Sequence, residues 1–444
     1  MRRGVSLIES IDWGVIIMYL VLVFMGWANI YAAVYNEEHR SIFDLSQSYG
    51  KQMLWILTAI ILAIAVLATD RQFFVSFGFP IYIFMMLVLV GVLLFGKEVG
   101  GSRSWFSLGA FSFQPSEFAK FATCMAVAKY LSLLNIKISN LKTKLVCVAL
   151  IALPMGLILL QGDAGSALVY VSFIFLMYRE GLSGNFLLAG LFAIILFIVT
   201  LVLQDTFINL PFEIVASGKS ILVTVLVLIG GLILIPFIRN QSNRGGATML
   251  RDVSIVIVIT LLLSIAFIYS VDYVFDEVLS DHQRGRINEL LSITTDPKGT
   301  GYNVNQSKIA IGSGGMFGKG YLQGTQTKFD FVPEQSTDFI FCTVGEEWGF
   351  AGSFVVITLF MVFLIKIILM AERQRSAFSR IFGYGVASIL FFHLAVNIGM
   401  TIGLAPVIGI PLPFFSYGGS SLWGFTILLF VFIKLDAYRL DSFR

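Results

Sequence analysis

Residues 1–24 read MRRGVSLIESIDWGVIIMYLVLVF, and they decide the class of fold. A basic start precedes a long apolar run, and no small-residue cleavage site follows. We therefore predict a retained first membrane span and not a cleaved signal peptide. The rest of the chain continues the pattern, because 57% of its 444 residues are hydrophobic and only 13% are charged. A mean hydropathy of +0.87 is too high for an ordinary soluble domain.

About twelve apolar runs are long enough, or nearly so, to cross a bilayer as helices. None shows the alternation typical of a membrane β-barrel. The sequence therefore predicts an all-α, polytopic integral membrane helical bundle. The predicted spans are 13–33, 52–69, 74–95, 115–134, 144–161, 165–178, 186–203, 219–238, 253–271, 347–370, 382–402 and 422–437.

Lysine and arginine residues set the predicted orientation. With the N-terminus inside, most of them fall in cytoplasmic loops, as the positive-inside rule requires. The short outer loops hold only Arg40, Lys51, Lys97, Arg103 and Lys219. Both termini are then cytoplasmic, and residues 272–346 form one large extracytoplasmic loop. The net charge of +3 and the scattered basic residues give no indication of nucleic acid as a partner.

Cysteine and histidine residues do not form a metal-binding pattern. The three cysteines lie in or beside different apolar runs without CxxC or Cys/His spacing, so we predict small core residues. His393 and Asn397 lie four residues apart on one helix face, which favours an interhelical hydrogen bond. The cysteines are Cys124, Cys147 and Cys342.

The fourth run begins QPSEFAKFATC and carries charges where a membrane makes them costly. Pro115 and Ser116 suit the first turn of a helix. Glu117 and Lys120 lie three residues apart, hence on one face, where they either fix helix packing or line a polar cavity that opens outward. Asp163, between two apolar runs, is equally a solvated turn residue or a ligand contact.

Two further segments are polar or irregular. Arg284 and Arg286, beside His282 and Gln283, form a donor-rich patch that suits a diphosphate, although solvated loop charge explains it as well. Residues 397–422 contain three prolines and the run SYGGSS, which cannot form a regular span. Irregular backbone at membrane depth survives only inside protein or beside a cavity, so we predict a re-entrant segment on the outer side.

Several long motifs in this order closely resemble the SEDS family (shape, elongation, division and sporulation) of bacterial cell-wall proteins. They are PSEFAK at 115–120, DPKGTGY at 296–302, NQSKIAIGSGGMFGKGYLQGTQTKFDFVPEQSTDFIF at 305–341 and PVIGIPLPFFSYGGSS at 406–421. The resemblance covers roughly residues 10–180 and 270–440 and is greater to elongation than to division members. The family usually has ten spans, so the surplus is predicted to be an inserted transmembrane hairpin at 186–238.

The resemblance implies a peptidoglycan glycosyltransferase that polymerises lipid II on the outer face of the bacterial cytoplasmic (inner) membrane. It also implies a class B penicillin-binding protein, a transpeptidase, as partner, together with other elongation-complex membrane proteins. The family's carboxylate corresponds to Asp296, which would act as the base for an inverting transfer. No cofactor is implied with certainty, and a divalent cation, Mg²⁺ or Mn²⁺, could help to neutralise the departing diphosphate.

Substrate-binding candidates come from the same motifs and from the polar residues above. They are Arg103, Glu117, Lys120, Asp163, Arg284, Arg286, Lys308 and Ser416. By pattern alone, Asp296 is better explained as an Asp-Pro turn at the start of the loop, and the resemblance favours the catalytic role. Other outer carboxylates compete with it for the role of base, namely Asp281, Asp330, Glu334, Asp338, Glu346 and Glu347.

Three alternatives stay open from the sequence. A lipid II flippase or another transporter would use Glu117, Lys120 and the broken segment near Pro406 as a midplane site. A scaffold that only activates the penicillin-binding partner would not need Asp296. A division polymerase would share the chemistry but act at another stage of growth.

Overall fold

A computed structural model of the protein describes residues 7–35, 41–99, 101–109, 111–134, 136–203, 206–210, 214–241, 247–273, 275, 277, 284–285, 301–329 and 331–439. Among these residues, ten helices are long and apolar enough to cross a membrane. This confirms the predicted polytopic helical bundle. The chain divides into two compact units, one formed by Met1–Leu182 with Tyr302–Arg444 and the other by Ser183–Gly301.

The first half of the larger unit carries nine α-helices and three short strands. In chain order they are α1 (Leu7–Ser10), α2 (Trp13–Val34), α3 (Ser48–Ala68), α4 (Arg71–Ser76), α5 (Gly78–Phe95), β1 (Lys97–Val99), β2 (Ser102–Leu108), β3 (Phe111–Phe113), α6 (Pro115–Leu131), α7 (Leu141–Leu160), α8 (Ala164–Leu168) and α9 (Phe173–Arg179). A single 3₁₀ turn, Val169–Ser172, joins the last two helices.

The smaller unit contains three long helices and a β-hairpin. They are α10 (Asn185–Val202), β4 (Phe207–Leu210), β5 (Ile214–Ser217), α11 (Gly218–Gln241) and α12 (Ala247–Tyr273). The predicted hairpin at 186–238 corresponds to α10 and α11, and α12 packs with them around the buried side chains of Leu201 and Val271.

The second half of the larger unit completes the bundle. It contains α13 (Gly301–Ser313), α14 (Thr325–Lys328), α15 (Ile340–Glu372), α16 (Ala377–Thr401) and α17 (Gly419–Ala437). The core packs α6, α16 and α17 against one another and against α2 and α15. Its apolar side chains include Tyr19, Met125, Phe382, Phe415 and Phe432.

α6 differs from the lipid-facing helices because protein encloses most of it. Fourteen of its seventeen residues are buried. A helix surrounded by protein can carry polar side chains, provided that they pair with one another. With 17 residues, α6 is shorter and less apolar than a lipid-facing span, although it lies where the sequence predicted one.

The segment that follows α5 is a small antiparallel sheet and not a simple loop. β2 pairs with β1 on one side and with β3 on the other. Gly101 and Gly109 supply the positive φ angles of the two turns, at +80° and +64°. The sheet is attached to the end of α7 by the backbone N–H of Arg103, which donates to Gln161 O at 2.8 Å.

The tenth span begins earlier than the sequence predicted. α15 starts at Ile340 and not at residue 347, and its backbone leaves helical geometry at Gly349, where φ is +66°. The three cysteines are free and buried, which agrees with their predicted role as core residues.

Candidate functional site

A buried ion pair lies near the start of α6. Pro115 takes the first helical position, and one turn later Lys120 Nζ lies 2.9 Å from each carboxylate oxygen of Glu117. The side chains of Lys120 and Glu117 are only 2% and 4% exposed. The predicted pairing on one helix face is present, and the pair is enclosed by protein.

His393 of α16 adds a third polar group to this pair. Its Nε2 lies 3.1 Å from Lys120 Nζ, and its Nδ1 lies 3.0 Å from the carbonyl oxygen of Pro411. The ring of Phe425 on α17 approaches both partners, with its centroid 5.0 Å from the ammonium and 4.8 Å from the imidazole centroid. The polar cluster therefore joins α6, α16 and the irregular segment that precedes α17.

That irregular segment, residues 402–418, is held by side chains that satisfy its backbone. Asn397 donates to Ile410 O at 2.7 Å and to Asp338 O at 2.8 Å. Gln52 of α3 accepts from the N–H of Gly418 at 3.1 Å. The predicted interhelical bond of Asn397 is instead a pair of bonds to loop carbonyls, because the segment folds back beside α16 and exposes them there.

Ser416, a predicted substrate contact, is used within the same segment. Its hydroxyl accepts from the N–H of Leu412 at 2.8 Å, and its side chain is almost fully buried. The N–H of Tyr417 donates to Ser336 O at 2.9 Å, which joins the segment to the loop before α15. Burial raises the pKa of Tyr417, so its hydroxyl stays protonated.

Asp163 caps a helix and also reaches towards α6. Its Oδ1 accepts from the N–H of Ser166 at 3.0 Å, as an N-cap residue does. Its Oδ2 accepts from Gln114 Nε2 at 3.0 Å, and the N–H of Gln114 donates to Ser420 Oγ at 3.1 Å. A half-buried carboxylate thus lies beside the residue that precedes the helix of the ion pair.

The loop between α13 and α15 is fastened by one buried carboxylate. Glu346, with no exposed surface, accepts from the N–H groups of Thr325, Gln326 and Thr327 at 2.8–2.9 Å. Lys319 completes this set with an ion pair of 2.7 Å. The sequence placed Glu346 among the rivals of Asp296, but it is committed to holding the loop.

Glu347 also binds this loop, but only one of its two carboxylate oxygens accepts a hydrogen bond from the described residues. Its Oε1 accepts from the N–H of Leu322 at 3.1 Å, whereas its buried Oε2 has no hydrogen-bond partner among the described residues. Leu322 has a positive φ of +63°, an uncommon conformation for a residue with a side chain. Burial raises the pKa of the neighbouring Tyr321 to about 12, and its hydroxyl donates to Ala28 O at 3.1 Å.

Glycines allow this loop to touch α15 backbone to backbone. A Cβ at Gly314 would lie 2.0 Å from Gly345 O, and one at Gly318 would lie 2.1 Å from Glu347 O. The N–H groups of Lys319 and Gly320 donate to the carbonyls of α15 near its kink. These glycines allow residues 314–320 to turn sharply and pack closely against α15.

The remaining candidates fall into two groups. Arg103 on β2 and Lys308 on α13 are exposed, and the Lys308 side chain lies against Gly403. Arg284 is half-buried in the smaller unit. Asp296 and Arg286 lie outside the described residues, so their predicted roles stay predictions.

Metal binding also stays a prediction. No group of three or more His, Cys, Asp and Glu side chains comes together within the part of the chain that the structure describes. Glu117 and Glu346, two of its buried carboxylates, are bound to lysines.

Comparison with known proteins shows similarity along the whole chain. Residues 12–210 and 215–440 match a family described as cell cycle protein, FtsW/RodA/SpoVE. The peptidoglycan glycosyltransferase RodA of Treponema pallidum is 32% identical over 446 residues, 99% of each chain. The peptidoglycan glycosyltransferase MrdB of Escherichia coli K12 is 33% identical over 343 residues, 77% of this chain and 73% of the relative.

A solved structure has the same fold. This structure is described as "Structural coordination of polymerization and crosslinking by a peptidoglycan synthase complex". One of its chains matches this chain with a TM-score of 0.67 and 26% identity. The match covers 97% of this chain and 99% of that chain.

Proposed function

The chain belongs to the FtsW/RodA/SpoVE family of cell cycle proteins, and we propose that it is a peptidoglycan glycosyltransferase that polymerises lipid II. The observation that carries this proposal is the similarity to a RodA named for that activity over 99% of both chains. The name of that relative and the longer motifs favour a role in cell elongation over one in division.

Asp296 is the proposed base. Transfer from lipid II breaks a bond to a diphosphate, which is already a good leaving group, so one carboxylate suffices where many glycosidases need two. Asp296 would take the proton from the acceptor sugar's 4-hydroxyl as that oxygen attacks the donor's anomeric carbon with inversion. The side chain of an aspartate in water has a pKa of about 3.9, so it is ionised at neutral pH and can accept that proton.

The departing diphosphate requires cationic partners, and exposure distinguishes the candidates. Arg103 and Lys308 are exposed and can reach a ligand. Arg284 and Arg286 stay proposed as further partners of the diphosphate. Lys120 is committed to Glu117 and His393. We propose that Lys120 and Glu117 organise the site from within and contact substrate only if this pairing rearranges.

We propose the outer face of the membrane for this chemistry, with both termini in the cytoplasm. The distribution of lysine and arginine supports that orientation. A class B penicillin-binding protein is the proposed partner, since the similar chain of known structure comes from a complex that couples polymerisation to crosslinking. Other elongation-complex membrane proteins are proposed to bind as well.

One experiment separates polymerisation from transport. The purified chain is reconstituted in liposomes, with and without its class B partner, and fluorescent lipid II is followed both for glycan products on a gel and for movement between leaflets. We expect a ladder of polymer. Movement of lipid II without polymer would favour the flippase, and neither movement nor polymer from a chain that binds the partner would favour the scaffold.

A further inference from the structure

The ring of His393 can make both of its hydrogen bonds in only one protonation state. The Pro411 carbonyl 3.0 Å from Nδ1 can only accept, so Nδ1 carries a hydrogen. The Lys120 ammonium 3.1 Å from Nε2 can only donate, so Nε2 presents a lone pair. The ring is therefore neutral and protonated on Nδ1, since an imidazolium would turn a second N–H towards the ammonium.

This ring fixes the direction of the Lys120 ammonium. The ammonium makes two contacts with the oxygens of Glu117 and a third with His393, and the centroid of the Phe425 ring lies 5.0 Å from it. Lys120 and His393 are 2% and 1% exposed, so water does not replace a lost partner. Without the imidazole, a buried ammonium would lack one acceptor and the Pro411 carbonyl would lack its donor.

We propose that His393 is a positioning residue for glycan polymerisation. It orients the Glu117–Lys120 pair according to the position of the irregular segment, residues 402–418. This proposal rests on the proposed function. One imidazole links the ammonium to the Pro411 carbonyl, so a shift of the segment is transmitted to the pair. Glu117, which binds the same ammonium, is then held in one fixed arrangement.

Asn397 provides the matched control. It lies one helical turn from His393 and binds the adjacent carbonyl, that of Ile410, at 2.7 Å. No hydrogen bond joins it to Lys120 among the described residues. Asn397 therefore joins the segment to the Asp338 carbonyl without contacting the ammonium, whereas His393 anchors the segment and also holds the ammonium.

The kinetic test uses His393→Leu, His393→Gln, Asn397→Leu, Lys120→Met and the two double variants with Lys120→Met. A glutamine amide offers one donor and one acceptor, so we expect His393→Gln to stay within about threefold of wild type. We expect His393→Leu to lower kcat by roughly tenfold or more with little change in the KM for lipid II.

The double variants test whether His393 acts through Lys120. In the Lys120→Met background, His393→Leu should lower kcat little further, whereas Asn397→Leu should lower it by as much as it does alone. Additive losses for His393 and Lys120, or a glutamine variant as slow as the leucine variant, would overturn the proposal.

A second measurement does not depend on activity or on the stability of variants at His393. The chain has three histidines, so ¹⁵N-histidine labelling with His39→Gln and His282→Gln leaves a single imidazole signal. We expect a protonated Nδ1 and an unprotonated Nε2, whose resonance shifts in Lys120→Met. A ring protonated on Nε2 or on both nitrogens would contradict the proposal. Correct NMR signals with no polymerisation by wild type would instead refute the proposed function alone.

Discussion

Lys319 and Glu346 form an ion pair of 2.7 Å in which the carboxylate is completely buried and the lysine is partly exposed. The same carboxylate receives three consecutive backbone N–H groups from residues 325–327. The segment that contains α14 is thus fastened to the start of α15 by this side chain, which fixes the position of residues 325–327.

Replacing that carboxylate should release the loop. Glu346→Ala leaves three backbone donors without their acceptor, and we expect it to lower the free energy of unfolding by about 3 kcal/mol or more. Limited proteolysis within residues 319–327 and thermal unfolding in detergent measure the effect. Glu98→Ala, at an exposed position on β1, is the control and should change stability by about 0.5 kcal/mol or less. Equal behaviour of both variants would show that the loop does not depend on Glu346.

Gly349 allows the same loop to approach α15. Its φ is +66°, and a Cβ there would lie 2.3 Å from the nitrogen of Gly318. We expect Gly349→Ala to lower the melting temperature by several degrees, because positive φ alone costs roughly 1–2 kcal/mol and the loop must also move. Gly312→Ala, on α13 with open space around its Cβ, should be neutral or slightly stabilising. A neutral Gly349→Ala would contradict the backbone contact.

Asp12 joins the start of α2 to the end of α15 through Lys366 and Arg373, at 2.9 and 3.2 Å. Burial acts to raise the pKa of Asp12, but the two cations outweigh it and lower the pKa below its usual value. Stability from this pairing is therefore present above the unfolded pKa of about 3.9 and is lost as pH falls through the folded value. Asp12→Asn should cost about 1 kcal/mol or less at pH 7, since both cations are over a third exposed, and nothing once Asp12 is protonated. Thermal unfolding of both proteins from pH 7 to pH 3 tests this. A difference that does not shrink as the pH falls would contradict the ion-pair account.

The proposed orientation can be tested with introduced cysteines, because the three native ones are buried. Gln323→Cys lies in the exposed part of the outer loop and should react with a membrane-impermeant maleimide in intact spheroplasts. Ser183→Cys, exposed after α9, should react only after lysis. The opposite pattern would invert the topology and move the proposed site to the cytoplasm.

Local pattern was sufficient to predict the helices and part of the site. Apolar run length predicted the ten long apolar helices, whereas the predicted spans at 115–134 and 165–178 correspond to a 17-residue helix and to two short helices joined by a 3₁₀ turn. The three-residue spacing of Glu117 and Lys120 predicted their pairing. The prolines of 406–413 predicted an irregular segment, because they cannot continue a helix. Each of these features depends on residues close together in the chain.

The partners in contacts between distant segments were not predicted. The interhelical hydrogen bond predicted for the face of His393 is present, but its partner is Lys120, 273 residues away, which no spacing rule identifies. Glu346 appeared as a spare carboxylate because its backbone donors are about twenty residues away and become visible only in the folded loop. The β1–β3 sheet was missed because strands of three to seven residues carry little periodicity.

We propose that Asp296 is the base of a glycan polymerase, and polymer formation tests this role. The most direct measurement compares wild type, Asp296→Asn and Glu334→Gln for polymer formed from lipid II, with each protein shown to be folded and able to bind the class B partner. Glu334 is an exposed carboxylate of the same outer region and is the matched control. We predict full-length glycan from wild type and Glu334→Gln and none from Asp296→Asn. Equal polymer from Asp296→Asn would contradict the account.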